Sequence, residues 1–220
     1  MTLNYTQVKA IKPILKFKCH SDTIAVKLET EKDRKYDLKS IPDYVEHIHF
    51  GDNFNQRINK DVLPEGLKSI RFGYIFNQRI EKDMLPKGLQ SIEFGNDFNQ
   101  RIEKDVLPEG LQSIRFGYIF NQRIEKDVLP KGLQSIRFGN NFNQRIEKNV
   151  LPEGLQSIRF GYNFKQRIEK DVLPKGLHTI EFDRIIFKNS PPTTKSLVFA
   201  GIVGCIIGCM LYITCCMLYT

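Results

Sequence analysis

The sequence predicts a mainly-β solenoid of 22-residue coils with parallel strands, followed by one C-terminal transmembrane helix. Three observations predict it. A motif recurs in register every 22 residues, the apolar residues inside each motif alternate over only a few positions, and residues 196–220 contain no Lys, Arg, Asp or Glu.

The repeat is read first because a fixed period decides the fold. Phe54, Phe76, Phe98, Phe120, Phe142 and Phe164 recur at that interval, as do Ile58, Ile80, Ile102, Ile124, Ile146 and Ile168. The prolines Pro42, Pro64, Pro86, Pro108, Pro130, Pro152 and Pro174 keep the same beat. Six near-identical copies fill residues 51–182. A degenerate half copy, 41–50, precedes them, in which Ile41-Pro42 stands for Leu63-Pro64, and Val45, Ile48 and Phe50 stand for Leu67, Ile70 and Phe72.

Each unit contains one short strand. In Ser69-Ile70-Arg71-Phe72 the apolar residues alternate around an outward Arg71, the period-two pattern of a strand buried on one face. Pro64-Glu65-Gly66 ahead of it suits a type I turn with Pro at the second position and Gly at the fourth. Gly73 ends the strand, where a missing Cβ allows a bend or a close backbone approach. Val62, Leu63, Phe76 and Ile80 are spaced too irregularly for a long helix and predict a compact coil.

Such a unit cannot bury its own apolar face and must stack on its neighbours. Parallel pairing at about 4.8 Å places Phe over Phe and Ile over Ile, and six coils make a slab roughly 30 Å long. Thirteen of the 16 Phe residues fall in the columns led by Phe50 and Phe54, so the core is expected to be a phenylalanine ladder. The ends of a solenoid need covers. Residues 1–40, with alternation in Thr23-Ile24-Ala25-Val26-Lys27-Leu28, are expected to supply one or two capping strands at the N-terminal end.

The recurrent pattern Leu-Pro-x-x-Leu-x-x-Ile-x-Phe-Gly-x-x-Phe-Asn-Gln-x-Ile resembles the FNIP repeat, a relative of the leucine-rich repeat expanded in social amoebae and in giant DNA viruses of amoebae. The resemblance implies a leucine-rich-repeat-like, right-handed solenoid and a role in interaction rather than chemistry. Asn55, Asn77, Asn99, Asn121 and Asn143 are then candidates for an asparagine ladder bonding neighbouring backbone, with Lys165 replacing Asn in the last copy and predicting fraying there. Arg57, Arg79, Arg101, Arg123, Arg145 and Arg167 stand where the family often has Pro. Some amoebal relatives carry an F-box, but residues 1–40 show no matching helical pattern, so an adaptor role in ubiquitin ligation is not carried over.

The formal net charge of +8 is spread over interleaved acids and bases, which argues against disorder and against a polybasic tail. Only Cys19 lies ahead of the apolar run, so no disulfide framework is expected, and residues 1–14 lack the apolar stretch of a secretory signal. The apolar run 196–220, with Leu197 and Tyr219 near its two ends, is long enough to cross a membrane. Pro191 and Pro192 separate it from the repeats through a basic linker, 183–195. Arg184, Lys188 and Lys195 flank only its N-terminal side, so the repeats are expected on the cytosolic face of a single-pass, tail-anchored protein, in a host-cell membrane if the chain is viral. Gly204 and Gly208 form a Gly-x-x-x-Gly pair that would let two such helices associate as a homodimer. Cys215 and Cys216 lie at the far end and suit apolar filler better than acylation.

A near-perfect repeat makes rows of like groups, whereas catalysis needs unlike groups converging. No catalytic residue, cofactor site or metal site is therefore expected. His47 and His49 share a strand face but have no third ligand in sequence reach. The informative polar feature is the outward strand column His49, Arg71, Glu93, Arg115, Arg137, Arg159 and Glu181, flanked by Ser69, Ser91, Ser113, Ser135, Ser157 and Thr179. Arg115, Arg137 and Arg159, joined by Arg71, are the expected partner-binding residues. They predict a positive stripe able to attract an acidic peptide, a phosphate group or an anionic membrane. A second column, from Arg57 to Arg167, is expected to be balanced by Glu81, Glu103, Glu125, Glu147 and Glu169 and by the lysines that follow each. The function expected is that of a non-enzymatic, membrane-anchored scaffold binding an as yet unidentified protein through its strand face. Electrostatic binding of nucleic acid or anionic lipid is the alternative, with nucleic acid disfavoured by mixed charge and by an expected lack of repeated exposed aromatics.

Overall fold

The computed structural model describes residues 15–17, 25–28, 37–169 and 171–183. Among them, nine strands run in chain order across a single sheet: β1 (Leu15–Phe17), β2 (Ala25–Leu28), β3 (His47–Phe50), β4 (Ser69–Arg71), β5 (Ser91–Glu93), β6 (Ser113–Arg115), β7 (Ser135–Arg137), β8 (Ser157–Phe160) and β9 (Thr179–Phe182). β1 is antiparallel to β2, and every later pair is parallel. Register follows the repeat, with Ile70 beside Ile92 and Ile114 beside Ile136. The fold is the expected mainly-β parallel solenoid. A short 3₁₀ turn, Leu38–Ser40, capped by the Asp37 side chain accepting from the Lys39 N–H, leads into β3.

Two rows of phenylalanine fill the coils. Within one coil Phe72 and Phe76 stack at 3.9 Å between ring centroids, and Phe94 and Phe98 do the same. Between coils the Phe50 row repeats at 5.3–5.7 Å and the Phe54 row at 5.9–6.1 Å. Strands repeat at about 4.8 Å. Spacing therefore grows with distance from the sheet, so the coils fan apart and the strand face is the concave side. Leu67, Ile70 and Ile80 and their counterparts close the rest of the core. In the last coil Ile168, Leu173, Leu177, Ile180 and Phe182 are only partly buried, because no further coil among the described residues covers them.

Close approach, not a bend, is what requires the strand-ending glycine. A methyl group on Gly73, Gly95, Gly117, Gly139 or Gly161 would overlap the carbonyl of the glycine one coil earlier. The glycines thus let backbone nest on backbone at the corner where coils come closest. The turn ahead of the strand differs from the sequence expectation by one residue. Leu67 N–H donates to the Pro64 carbonyl at 3.1 Å, so Pro64 is the first residue of the turn and Gly66 the third. Pro64 is buried and supplies an acceptor, while the glycine position faces the preceding coil, where a Cβ at Gly110 would lie 3.1 Å from the Lys87 carbonyl oxygen.

The asparagine ladder is present. Asn77 Oδ1 accepts from the Asn99 N–H and from the Gln100 side-chain amide, both at 3.0 Å, and the pattern repeats at each coil. The Gln of each Asn-Gln pair is thereby a second rung, unmarked in the sequence reading. Lys165 keeps its own rung, since its N–H donates to Asn143 Oδ1 at 2.8 Å. What the lysine lacks is an amide oxygen to offer onward, so the ladder stops after that bond instead of breaking at it.

The far side of each coil is turned by Asp61, Asp83, Asp105, Asp127 and Asn149, all left-handed at φ 57–65°. Short polar side chains tolerate that region better than other non-glycine residues. These aspartates also pair with lysines of the preceding coil: Lys60–Asp83 and Lys82–Asp105 at 3.7 Å, and Lys104–Asp127 at 3.8 Å. The arginine column is balanced by glutamates, as in Arg57–Glu81 at 2.8 Å and Arg123–Glu147 at 2.7 Å. Of the lysines expected to share that task, Lys82, Lys104 and Lys148 pair with aspartates instead. In the last such pair, hydrogen bonding from Lys148 and then its charge hold the Asp171 carboxyl below the usual carboxylate range. All these pairs are exposed and screened by solvent, so they favour register more than stability.

Among the described residues, no helix is long and apolar enough to cross a membrane. The span expected at 196–220, its Gly204–Gly208 pair, Cys215, Cys216 and the basic linker beyond residue 183 lie outside the described residues.

Candidate functional site

Two outward columns cover the concave strand face. The first is His47, Ser69, Ser91, Ser113, Ser135, Ser157 and Thr179; the second is His49, Arg71, Glu93, Arg115, Arg137, Arg159 and Glu181. Alternation along each strand buries Ile70 and its equivalents and turns both columns outward. His47 Nδ1 lies 2.6 Å from Ser69 Oγ. Among the described residues, no three His, Cys, Asp or Glu side chains converge as a metal site would need.

Register places Arg115, Arg137 and Arg159 side by side on β6, β7 and β8, and sets Arg71 apart from them across Glu93. The three do not form an even positive stripe. Glu93 draws Arg115 one way, at 3.1 Å, and takes Arg71 on its other side at 3.6 Å. Arg159 is drawn the other way, its guanidinium 3.0 Å from Glu181 and also paired with Asp183 at 2.6 Å. Arg137 has no carboxylate within ion-pairing distance among the described residues. It is half-buried, and its pKa is lowered by burial first and then by the charges of Arg159 and Arg115. A guanidinium stays protonated through such a shift. Arg137 is therefore a fixed, partly desolvated cation that an incoming anion would relieve.

The corner beyond the strands carries residues that the sequence reading missed. Tyr74, Tyr118 and Tyr162 are each about half exposed, at 49–53%. Asn96 and Asn140 occupy the intervening coils. Exposed aromatics thus do recur, contrary to the expectation that counted against nucleic acid. Their signal is a 44-residue alternation, Gly-Tyr in one copy and Gly-Asn in the next, which a 22-residue comparison averages away.

Comparison with known proteins agrees with this geometry. No curated protein matches the chain. Among solved structures, CroV588, described as a novel circular LRR protein structure, matches with a TM-score of 0.68 and 43% identity over 71% of this chain. The match spans 23% of that protein, so only a minor part of it is represented here. The FNIP repeat model matches residues 35–75, 76–119, 98–141, 120–162 and 142–184, which together cover the whole solenoid from the half copy onward. On the asparagine ladder, the nested glycines and these five matches, the chain belongs to the FNIP-repeat family.

Proposed function

We propose that the protein is a non-catalytic scaffold, anchored in a membrane through residues 196–220, whose concave strand face binds an acidic segment of another protein at Arg137. A repeat solenoid of the leucine-rich-repeat type is a common interaction scaffold, and its curved sheet offers an extended binding surface. The observation that carries the reading is that, among the described residues, Arg137 alone of the arginines in this row has no carboxylate within ion-pairing distance. A carboxylate or phosphate meeting Arg137 gains a charge-assisted hydrogen bond, with the serine hydroxyls of Ser113, Ser135 and Ser157 beside it as further donors. Removing an unpaired surface cation leaves the fold intact, so binding and stability separate cleanly. The cytosolic orientation rests on Arg184, Lys188 and Lys195 ahead of the apolar run.

Proximity labelling by the full chain in cells, compared with Arg137→Glu and Arg137→Ala chains, tests this. The expected result is that Arg137→Glu loses a specific set of neighbours while its thermal midpoint stays within about 2 °C, the shift of a change below ~0.5 kcal/mol. Retention of every neighbour by Arg137→Glu would remove Arg137 from the binding site. Loss of neighbours in proportion to salt alone, with no selectivity among them, would favour a nucleic acid or lipid surface instead.

A further inference from the structure

The turn ahead of each strand presents one exposed charge per coil: Glu65, Lys87, Glu109, Lys131, Glu153 and Lys175. From Glu65 to Lys175 the signs alternate in every coil, while Asp43, at the same turn position of the half copy, repeats the sign of Glu65. None of the six has an ion pair within its own chain among the described residues, whereas the arginine–glutamate and lysine–aspartate columns are largely closed coil to coil. The column runs along the rim where strands begin, beside the exposed and uncharged Gln90, Gln112, Gln134 and Gln156.

An alternating column of six reads as its own complement when reversed. The geometry points to a second copy of this chain as the occupant of this rim, docked antiparallel about a two-fold axis that crosses between Glu109 and Lys131. In that arrangement Glu65 meets the partner's Lys175, Lys87 meets the partner's Glu153, and Glu109 meets the partner's Lys131. The two-fold generates the same three contacts again, so all six alternating charges of both columns are paired, and Asp43 stands one coil beyond the partner's Lys175. Glutamine meets glutamine in the neighbouring row, which puts donors and acceptors on both sides. The fanning of the coils does not disturb the match, because an axis lying across the stack carries each concave face onto the same side as its copy.

The pattern also rejects the alternatives. A parallel, in-register pair sets Glu against Glu and Lys against Lys in all six coils. A one-coil slip of the antiparallel pair does the same wherever the six alternating charges overlap, with Asp43 meeting the partner's Lys175 in one direction of slip as the one opposite-charge contact. Like-charge juxtaposition of that kind sets orientation and register even where the attractive pairs themselves are weak. The rim dimer leaves Arg137 and the concave faces open, so it would present two copies of the proposed binding surface. It is also separate from any association through Gly204 and Gly208.

The test uses the full chain in detergent micelles, mixing ordinary and ¹⁵N-labelled protein and joining touching carboxylates and amines with a zero-length carbodiimide. Glu65 and Lys175 lie five coils apart in one chain, roughly 24 Å at strand spacing, so an amide bond between them forms only between copies. The expected result is Glu65–Lys175 and Lys87–Glu153 links in mixed-isotope form, weakening as salt rises. A chain carrying Glu109→Lys with Glu153→Lys, and another carrying Lys87→Glu with Lys131→Glu, should each lose the Glu65–Lys175 link, although both linked residues remain. Mixing those two chains restores complementarity in all six coils and should restore the link. Absence of the interchain Glu65–Lys175 link in the ordinary chain, its persistence in either reversed chain alone, or failure of the mixture to regain it would each overturn the proposal.

Discussion

Gly117→Ala is expected to destabilise the protein by about 3–5 kcal/mol, at the exceptional end for a single methyl group. The added carbon overlaps the Gly95 carbonyl one coil earlier, and both partners are backbone, so neither can rotate away. Coils at strand spacing, about 4.8 Å apart, cannot separate locally without also breaking the sheet bonds beside them, among them Phe94 N–H to the Arg115 carbonyl and Phe116 N–H to the Arg137 carbonyl, both at 2.8 Å. Gly132→Ala is the internal control. Its new carbon would lie 3.1 Å from the Glu109 carbonyl oxygen, and its backbone is not left-handed, so a shift of a few tenths of an ångström accommodates it. The reduced freedom of the unfolded chain offsets that crowding, and the net effect should stay within about 1 kcal/mol. Urea unfolding of the two variants beside the parent chain reads the difference directly.

Phe116→Ala is the second large effect, at about 3–5 kcal/mol. Phe116 is 2% exposed and stacks on Phe120 at 4.0 Å, on Phe94 at 5.7 Å and on Phe138 at 5.5 Å. Its truncation opens a cavity shared by three coils, which cannot collapse because strand pairing sets their separation. Phe116→Leu keeps most of the volume and should cost less than half as much. Tyr118→Ala, two residues on but about half exposed, should stay within about 0.5 kcal/mol. The same denaturant melts decide the matter, and equal losses at Phe116 and Tyr118 would mean that the phenylalanine rows are not the core.

Near-identity of the copies is why the fold could be read from the sequence at all. When Ile70, Phe72, Phe76 and Asn77 each recur in register, parallel strands, stacked rings and an asparagine ladder are the arrangement that buries every copy alike. Features set by the contact between coils were harder to see. The turn at Pro64 fell one residue away from its expected place because several turn registers satisfy the same Pro-x-Gly spacing. The left-handed Asp83 and its relatives carry no glycine to announce them, and Lys82 and Lys104 pair with two of these aspartates rather than with the arginine column. Alternations over two coils, at Tyr118 and at Lys131, vanish when units are compared one at a time.

The site shows the same division. Arg115, Arg137 and Arg159 were recognisable as one outward column, since period two and the repeat place them together. Which of them is left without a carboxylate partner among the described residues depends on Glu93 and Glu181 standing at either end and reaching inward. Three arginines that look equivalent in the sequence thus become two neutralised flanks and one central cation.

Hydrogen exchange along the full chain tests the nested-coil account most directly. Protection should rise and fall with a 22-residue period. The amides of Phe72, Phe94, Phe116 and Phe138, which donate to the next coil, and of Asn77, Asn99, Asn121 and Asn143, which donate to the previous one, should exchange slowest. The turn tips at Glu65, Lys87, Glu109 and Lys131 should exchange fastest. Protection with no such period, or single units that stay protected after being cut from their neighbours, would contradict it.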